Sequence, residues 1–201
     1  MKDIPIRKIK TPQKELNISE SISIRQVQDL LNGKDLTHEL HRHDFFFMLA
    51  LQKGKGIHEI DFIKYEVYDH SMFILRPGQV HKLNLHRDCT GFLMEFAPTF
   101  YQPNDKVSIQ RLSRATKKSF CEVEAARHNK LLSLLSYIFN EFTVKQEGYI
   151  EVIKANLDIF FIEFIRQSSN PHDTSKKGST YIQERFEEFM ELTSTHVTTF
   201  I

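Results

Sequence analysis

The sequence predicts an α+β protein: an antiparallel barrel or sandwich of short strands, followed by an antiparallel pair of helices. Three observations carry this. Residues 22–96 break into short apolar or alternating runs separated by turn residues. Beyond residue 130 the period changes from two to 3.6, in two stripes separated by Gly148. Within residues 38–85, His41 and His43 sit two apart before a strongly apolar run, and His81 ends the segment Pro77-Gly78-Gln79-Val80-His81. Alternate side chains of a strand share a face, so His41 and His43 point the same way. A barrel that sets the His81 strand beside theirs collects three imidazoles in one pocket.

Composition narrows the class. The 201 residues allow one large domain or a domain with an appendage. With 27 basic and 26 acidic side chains the net charge is +1, which does not describe a nucleic-acid-binding surface. Residues 1–5 have no apolar signal core, and no run approaches a membrane span, so a cytoplasmic protein without membrane contact is expected. Cys89 and Cys121 read as free thiols of a reducing compartment. No phosphate loop and no Ser/His/Asp arrangement is present.

Taken in order, residues 1–17 read as an irregular arm against the body. Ile22, Ile24 and Val27 suggest a short strand, and residues 32–35 (Asn-Gly-Lys-Asp) a turn. Strands follow at residues 45–51, 57–62, 65–68, 72–75, 80–85 and 91–96. In the second of these His58, Ile60 and Phe62 share a face. In the fifth His81, Leu83 and Leu85 do. Pro77-Gly78 is expected to form a tight turn, because Pro presets φ and Gly supplies a positive one. Residues 98–118 look irregular. Leu131, Leu134, Leu135, Ile138, Phe139 and Phe142 make the first helical stripe; Ile150, Ile153, Leu157, Phe160, Phe161 and Phe164 make the second. Gly148 serves as the stop between them. Residues 167–178 are a polar linker, and a further helix begins near Thr180, with an apolar side of Ile182, Phe186, Phe189 and Met190.

Three pieces together, His-Arg-His-Asp-Phe-Phe-Phe at 41–47, the hairpin Lys-Gly-Lys-Gly-Ile-His-Glu-Ile-Asp at 53–61, and Phe-Ile-Leu-Arg-Pro-Gly-Gln-Val-His at 73–81, resemble the sugar-binding and dimerisation domain of AraC-family transcription regulators. The resemblance covers residues 20–190. It implies a cupin, or double-stranded β-helix jelly roll, then a helical pair used for dimerisation, a linker, and a DNA-binding domain with two helix-turn-helix units. On that reading residues 1–118 are the arm and effector-binding barrel, 119–167 the dimerisation hairpin, 168–178 the linker, and 179–201 the start of a truncated DNA-binding domain. DNA contact is then expected only through the missing helix-turn-helix domain. The chain departs from the general cupin metal motif: Phe47 or Met48 stands where that motif has a Glu, and Leu85 where it has an Asn.

These observations set the expected site. His41, His43, Phe45, Phe47, His58 and His81 line a pocket for a small-molecule effector, a sugar among the candidates. For Phe45 and Phe47 the alternatives are stacking on a ligand or simple core packing, and for His58 a hydrogen-bonded core position. Leu131, Leu134, Leu135, Ile138, Phe142, Ile153, Leu157, Phe160, Phe161 and Phe164 are expected at a homodimer interface. No cofactor and no catalytic residue is expected, the motif Glu being absent. The alternative is a stand-alone metal-dependent cupin enzyme, a dioxygenase or isomerase, holding a divalent metal with His41, His43 and His81.

Overall fold

Alternation along the strands decides which residues face inward, and the strand pairing decides which of them meet. The computed structural model describes residues 4–9, 21–103 and 105–168. The described elements are β1 (Ile6–Arg7), β2 (Ile22–Gln26), α1 (Val27–Leu31), β3 (Leu36–His43), β4 (Phe46–Lys53), β5 (Gly56–Ile60), β6 (Ile63–Val67), β7 (Ser71–Leu75), β8 (Val80–Leu85), β9 (Thr90–Phe96), α2 (Lys106–Lys117), β10 (Phe120–Glu122), α3 (Ala125–Val144) and α4 (Tyr149–Ser168). They form two five-stranded sheets, in the orders β1-β3-β8-β5-β6 and β10-β7-β4-β9-β2. The pairings are antiparallel except that of the arm strand β1, which runs parallel to β3. Neighbours far apart in sequence, β3 with β8 and β2 with β9, give the jelly-roll connectivity of a cupin-type barrel.

Two apolar clusters explain the continuous run at residues 46–51. Phe47, Leu49 and Leu51 point between the sheets and pack with Ile60, Phe73, Leu75, Leu83, Leu85 and Leu93. Met48 and Ala50 point the other way, as do Met72, Ile74, Met94 and Phe96, and pack on the helices. A strand buried on both faces has no polar positions to alternate. β8 has its outer face only half-buried and therefore does alternate.

The helical hairpin is confirmed, and its stripe has a different use from the expected one. Leu131, Leu135, Ile138, Ile153, Leu157, Phe160, Phe161 and Phe164 are buried in the same chain, against the sheet containing β4. Leu134 and Phe142 are half-buried at its margin. Tyr137 (49% exposed) and Ile159 (45%) remain on the open side of the hairpin. α3 stops at Lys145 in the left-handed conformation, whose N–H donates to the Glu141 carbonyl. Gly148, at positive φ, instead precedes α4, and its carbonyl accepts from Val152.

Other differences are local. Asp61 and Phe62 take positive φ and form a turn, so Phe62 is 68% exposed and does not share the face of His58 and Ile60. Residues 106–117, expected to be irregular, form α2, capped by Asp105, whose carboxylate accepts from the Ser108 N–H at 2.9 Å. Val27 begins the short helix α1 and does not continue the strand. β10 pairs with β7, which brings residues 120–122 into the barrel sheet. Cys89 and Cys121 are free thiols. No described helix is long and apolar enough to cross a membrane. The predicted linker beyond Ser168, the helix from residue 179 and residues 10–20 of the arm lie outside the described residues.

Candidate functional site

The register builds the site. In the β3–β8 ladder His41 lies directly opposite His81. On the other side of β8, β5 sets Ile60 opposite His81 and His58 opposite Leu83. His43 follows two residues after His41, and the turn at Gly78 is pinned to it: the Gly78 N–H donates to the His43 carbonyl at 2.8 Å. Gly78 has φ +88, as the Pro-Gly pair predicts. The turns after β3, β5 and β7 all lie at this end of the barrel.

All six expected residues come together here, and all six are buried. The Nε2 atoms of His41 and His43 are 2.8 Å apart, and those of His43 and His81 are 3.3 Å apart. His58 stands behind His81, with its Nε2 at 2.9 Å from His81 Nδ1. Phe45 stacks on His43 at a centroid distance of 4.2 Å. Phe47 lies 5.0 Å from His81 and 5.5 Å from His43. The structure adds two rings that the sequence reading missed. Phe73 lies 4.5 Å from His58, and His38 meets His41 edge-on at 5.8 Å. His38 is three residues from His41, the wrong parity for a shared face on a regular strand. A register shift between them brings it round.

Burial sets the charge state. Loss of hydration pushes His43 down to about 3, helped by charge on His41 and Arg7. His58 is likewise pushed down to about 3, first by burial and then by His41 and His43. His38 falls to about 4, and His41 and His81 are lowered too, burial being the largest cause in each. At neutral pH the cluster is therefore a set of uncharged imidazoles, each with one N–H and one lone pair. Such a set hydrogen-bonds hydroxyls and carboxylates or ligates a soft divalent cation, while the Phe rings supply an apolar face.

At the opposite end of the barrel a shallow cleft of about 250 Å³ is lined by Lys53, Gly54, Lys55, Asp69, His86, Asp88 and Cys89. None of the expected site residues lies in it.

Comparison with known proteins bears on the fold and the family. A chain titled as the AraC-like transcriptional activator CuxR aligns over 88% of this chain and 62% of its own length, at 12% identity and a TM-score of 0.45. This chain thus spans about three fifths of that protein. A cupin protein from Bacteroides fragilis aligns over 52% of this chain and 93% of its own, at 18% identity and a TM-score of 0.29. No curated protein sequence matches. The family described as the AraC-like ligand binding domain matches residues 32–147, from the end of α1 to the end of α3, including every residue of the histidine cluster. The chain belongs to the AraC-like ligand-binding domain family.

Proposed function

We propose that the chain is the effector-sensing and dimerisation region of an AraC-type transcription regulator working in the cytoplasm. A small molecule is held at the histidine-lined end of the barrel and controls attached DNA-binding domains. The observation that carries this reading is the convergence of His41, His43, Phe45, Phe47, His58 and His81 inside a domain of that family. A sugar suits the site chemically, because imidazoles bond hydroxyls while Phe45 and Phe47 cover a ring face.

The fold supplies a route from ligand to hairpin. β4 carries Phe47 on its inner face and Met48 and Ala50 on its outer face, against α3 and α4. A ligand that moves Phe47 therefore shifts the surface on which the hairpin sits. Control requires the ligand to bind the two hairpin arrangements unequally. The homodimer face on the hairpin is its open side, with Tyr137 and Ile159, since the main stripe is already covered.

The alternative, a metal-dependent cupin enzyme, draws on the same three converging imidazoles and requires turnover. The test of the sensing role is a thermal-shift survey of the untagged chain against monosaccharides and small carboxylates. A ligand that raises Tm for the wild type but not for Phe45→Ala supports the reading. Stabilisation that survives Phe45→Ala and Phe47→Ala alike contradicts the site. A chain that stays monomeric at high concentration in sedimentation equilibrium contradicts the dimer.

A further inference from the structure

Two sheets laid face to face have a seam on either side. At one seam Tyr65 and Tyr68 lie 5.4 and 5.9 Å from Phe120, joining the β6 and β10 edges. The other seam lies between the edge strands β1 and β2. Register decides what points into it. Arg7 is paired with His43 and shares its inward face. Ile22 and Ile24 pack on the helical side, so Ser23 and Arg25, which alternate with them, turn inward. Glu95 stands between Ser23 and Phe47 in the ladder and shares the face of Phe47. Contacts then run from one edge to the other. Arg7 is beside His43, the His43 ring is 5.5 Å from Phe47, Phe47 is beside Glu95, and Arg25 Nη2 donates to Glu95 Oε2 at 2.7 Å.

The charges at this seam do not cancel. Glu95 is already paired with Arg25. Among the described residues no carboxylate pairs with Arg7. Glu39, on the neighbouring strand, is taken by Lys82 at 3.0 Å on the outer face. The charge of Arg7 acts on His38, His41, His43 and Glu95, and that of Arg25 acts on His38 as well. Neutral imidazoles are therefore flanked by two guanidinium groups and one carboxylate, a surplus of one positive charge among the described residues.

We propose that the effector is a sugar acid, a polyhydroxylated monocarboxylate whose carboxylate is held by Arg7 and the unused N–H groups of Arg25. Its hydroxyls bond the imidazoles of His41 and His43, and its ring lies on Phe45. This rests on the reading of the histidine-lined end as an effector site, and adds the ligand's charge to it. The planar guanidinium fork matches a carboxylate with two parallel N–H···O bonds. One negative charge balances the surplus, whereas a phosphomonoester brings close to two. A neutral sugar gives Arg7 no partner. An acid without hydroxyls leaves the imidazole donors and acceptors unpaired.

The experiment titrates the untagged full chain with matched pairs at pH 7.5 by calorimetry and thermal shift: galacturonate with galactose, glucuronate with glucose, and glucose 6-phosphate. The expected result is that a sugar acid binds and raises Tm, with its neutral parent weaker by about 10- to 100-fold, the worth of a charge-assisted hydrogen bond. Arg7→Gln should weaken the acid by a similar factor and leave the Tm of the free chain unchanged, because Arg7 is exposed. Arg25→Lys keeps a cation for Glu95, loses the fork, and should also weaken the acid. Lys82→Gln, on the outer face, should leave binding unchanged. Arg7→Gln that binds the acid like wild type overturns the proposal. So does a neutral sugar or the phosphate binding as tightly as the acid, or no sugar acid binding at all. A neutral ligand whose binding is lost in Phe45→Ala would sink the acid and leave the effector site standing, so the two readings fail separately.

Discussion

His41 and His81 face one another directly across the β3–β8 ladder, with ring centroids 4.4 Å apart. The pair anchors the cluster, because His81 also touches His43 and His58. In metal-free protein, His81→Ala removes a fully buried ring and leaves His58 Nε2 without its partner. The expected cost is about 2–4 kcal/mol of unfolding free energy, from the cavity and the orphaned nitrogen together. Urea denaturation at pH 7.5 measures it. A cost below about 0.5 kcal/mol would mean that the rings do not pack as described.

The helical hairpin separates stability from assembly. Phe160 and Leu157 are buried against the barrel, so Phe160→Ala should cost about 3–5 kcal/mol and Leu157→Ala about 2–5 kcal/mol. Tyr137 and Ile159 are on the open side, so Ile159→Glu and Tyr137→Glu should change monomer stability by about 0.5 kcal/mol or less. If the open side is the dimer face, these two substitutions weaken self-association in sedimentation equilibrium. Weakened association in neither variant would move the interface elsewhere.

Acid should destabilise the fold. His128, on α3, is fully buried against the His70 ring, and neither of its nitrogens has a hydrogen-bond partner among the described residues. Burial first, and His70 second, push it down from 6.5 to about 4. Between those values the unfolded chain takes up a proton that the folded chain refuses. Its contribution is therefore fully present above about pH 6.5 and is lost as pH falls toward 4. His43 and His58, both pushed down to about 3, add in the same direction. His128→Leu should make the decline shallower by at most about 1.4 kcal/mol per pH unit, the worth of one proton. Urea midpoints from pH 7.5 to 4.5 check this; an unchanged slope contradicts it.

A side-chain hydrogen bond ties the segment after the barrel to the hairpin. The Tyr101 hydroxyl donates to the Asp158 carboxylate at 2.5 Å, and the Tyr101 ring packs on Phe161. Burial, then this bond, raises the phenol well above its usual range. Tyr101→Phe keeps the ring and loses the bond, at an expected cost of about 1–2 kcal/mol. Hydrogen exchange should quicken in α4 more than in β8. Equal quickening in both would show a global effect.

Much of this architecture is legible from local pattern. β4 and β7 announce themselves as apolar runs because each is buried on both faces, and β8 as an alternation because one face is open. The shared face of His41 and His43, and the turn before His81, follow from strand parity and from Pro-Gly chemistry. What escapes is what depends on distant chain. That His41 meets His81 is a consequence of jelly-roll pairing between β3 and β8, which no local period encodes. His38 joins the group only through a register shift in β3. α2 hides because two of its apolar residues, Val107 and Ile109, are exposed, and only Ala115 and Thr116 of its 12 residues are buried. The stripe of Leu131, Leu135 and Ile138 is plain in the sequence, but a stripe does not say what covers it. Here the cover is the outer face of the chain's own β-sheet.

Four uncharged imidazoles converge inside the barrel, and the Glu39 carbonyl fixes the proton of one of them, His41, on Nδ1. A long-range ¹H–¹⁵N spectrum of the metal-free chain at pH 7 reads it directly. The predicted result is neutral-ring signatures for His41, His43, His58 and His81, with His41 protonated at Nδ1. Imidazolium signatures, or averaged tautomers like those of a solvent-exposed histidine, would contradict it.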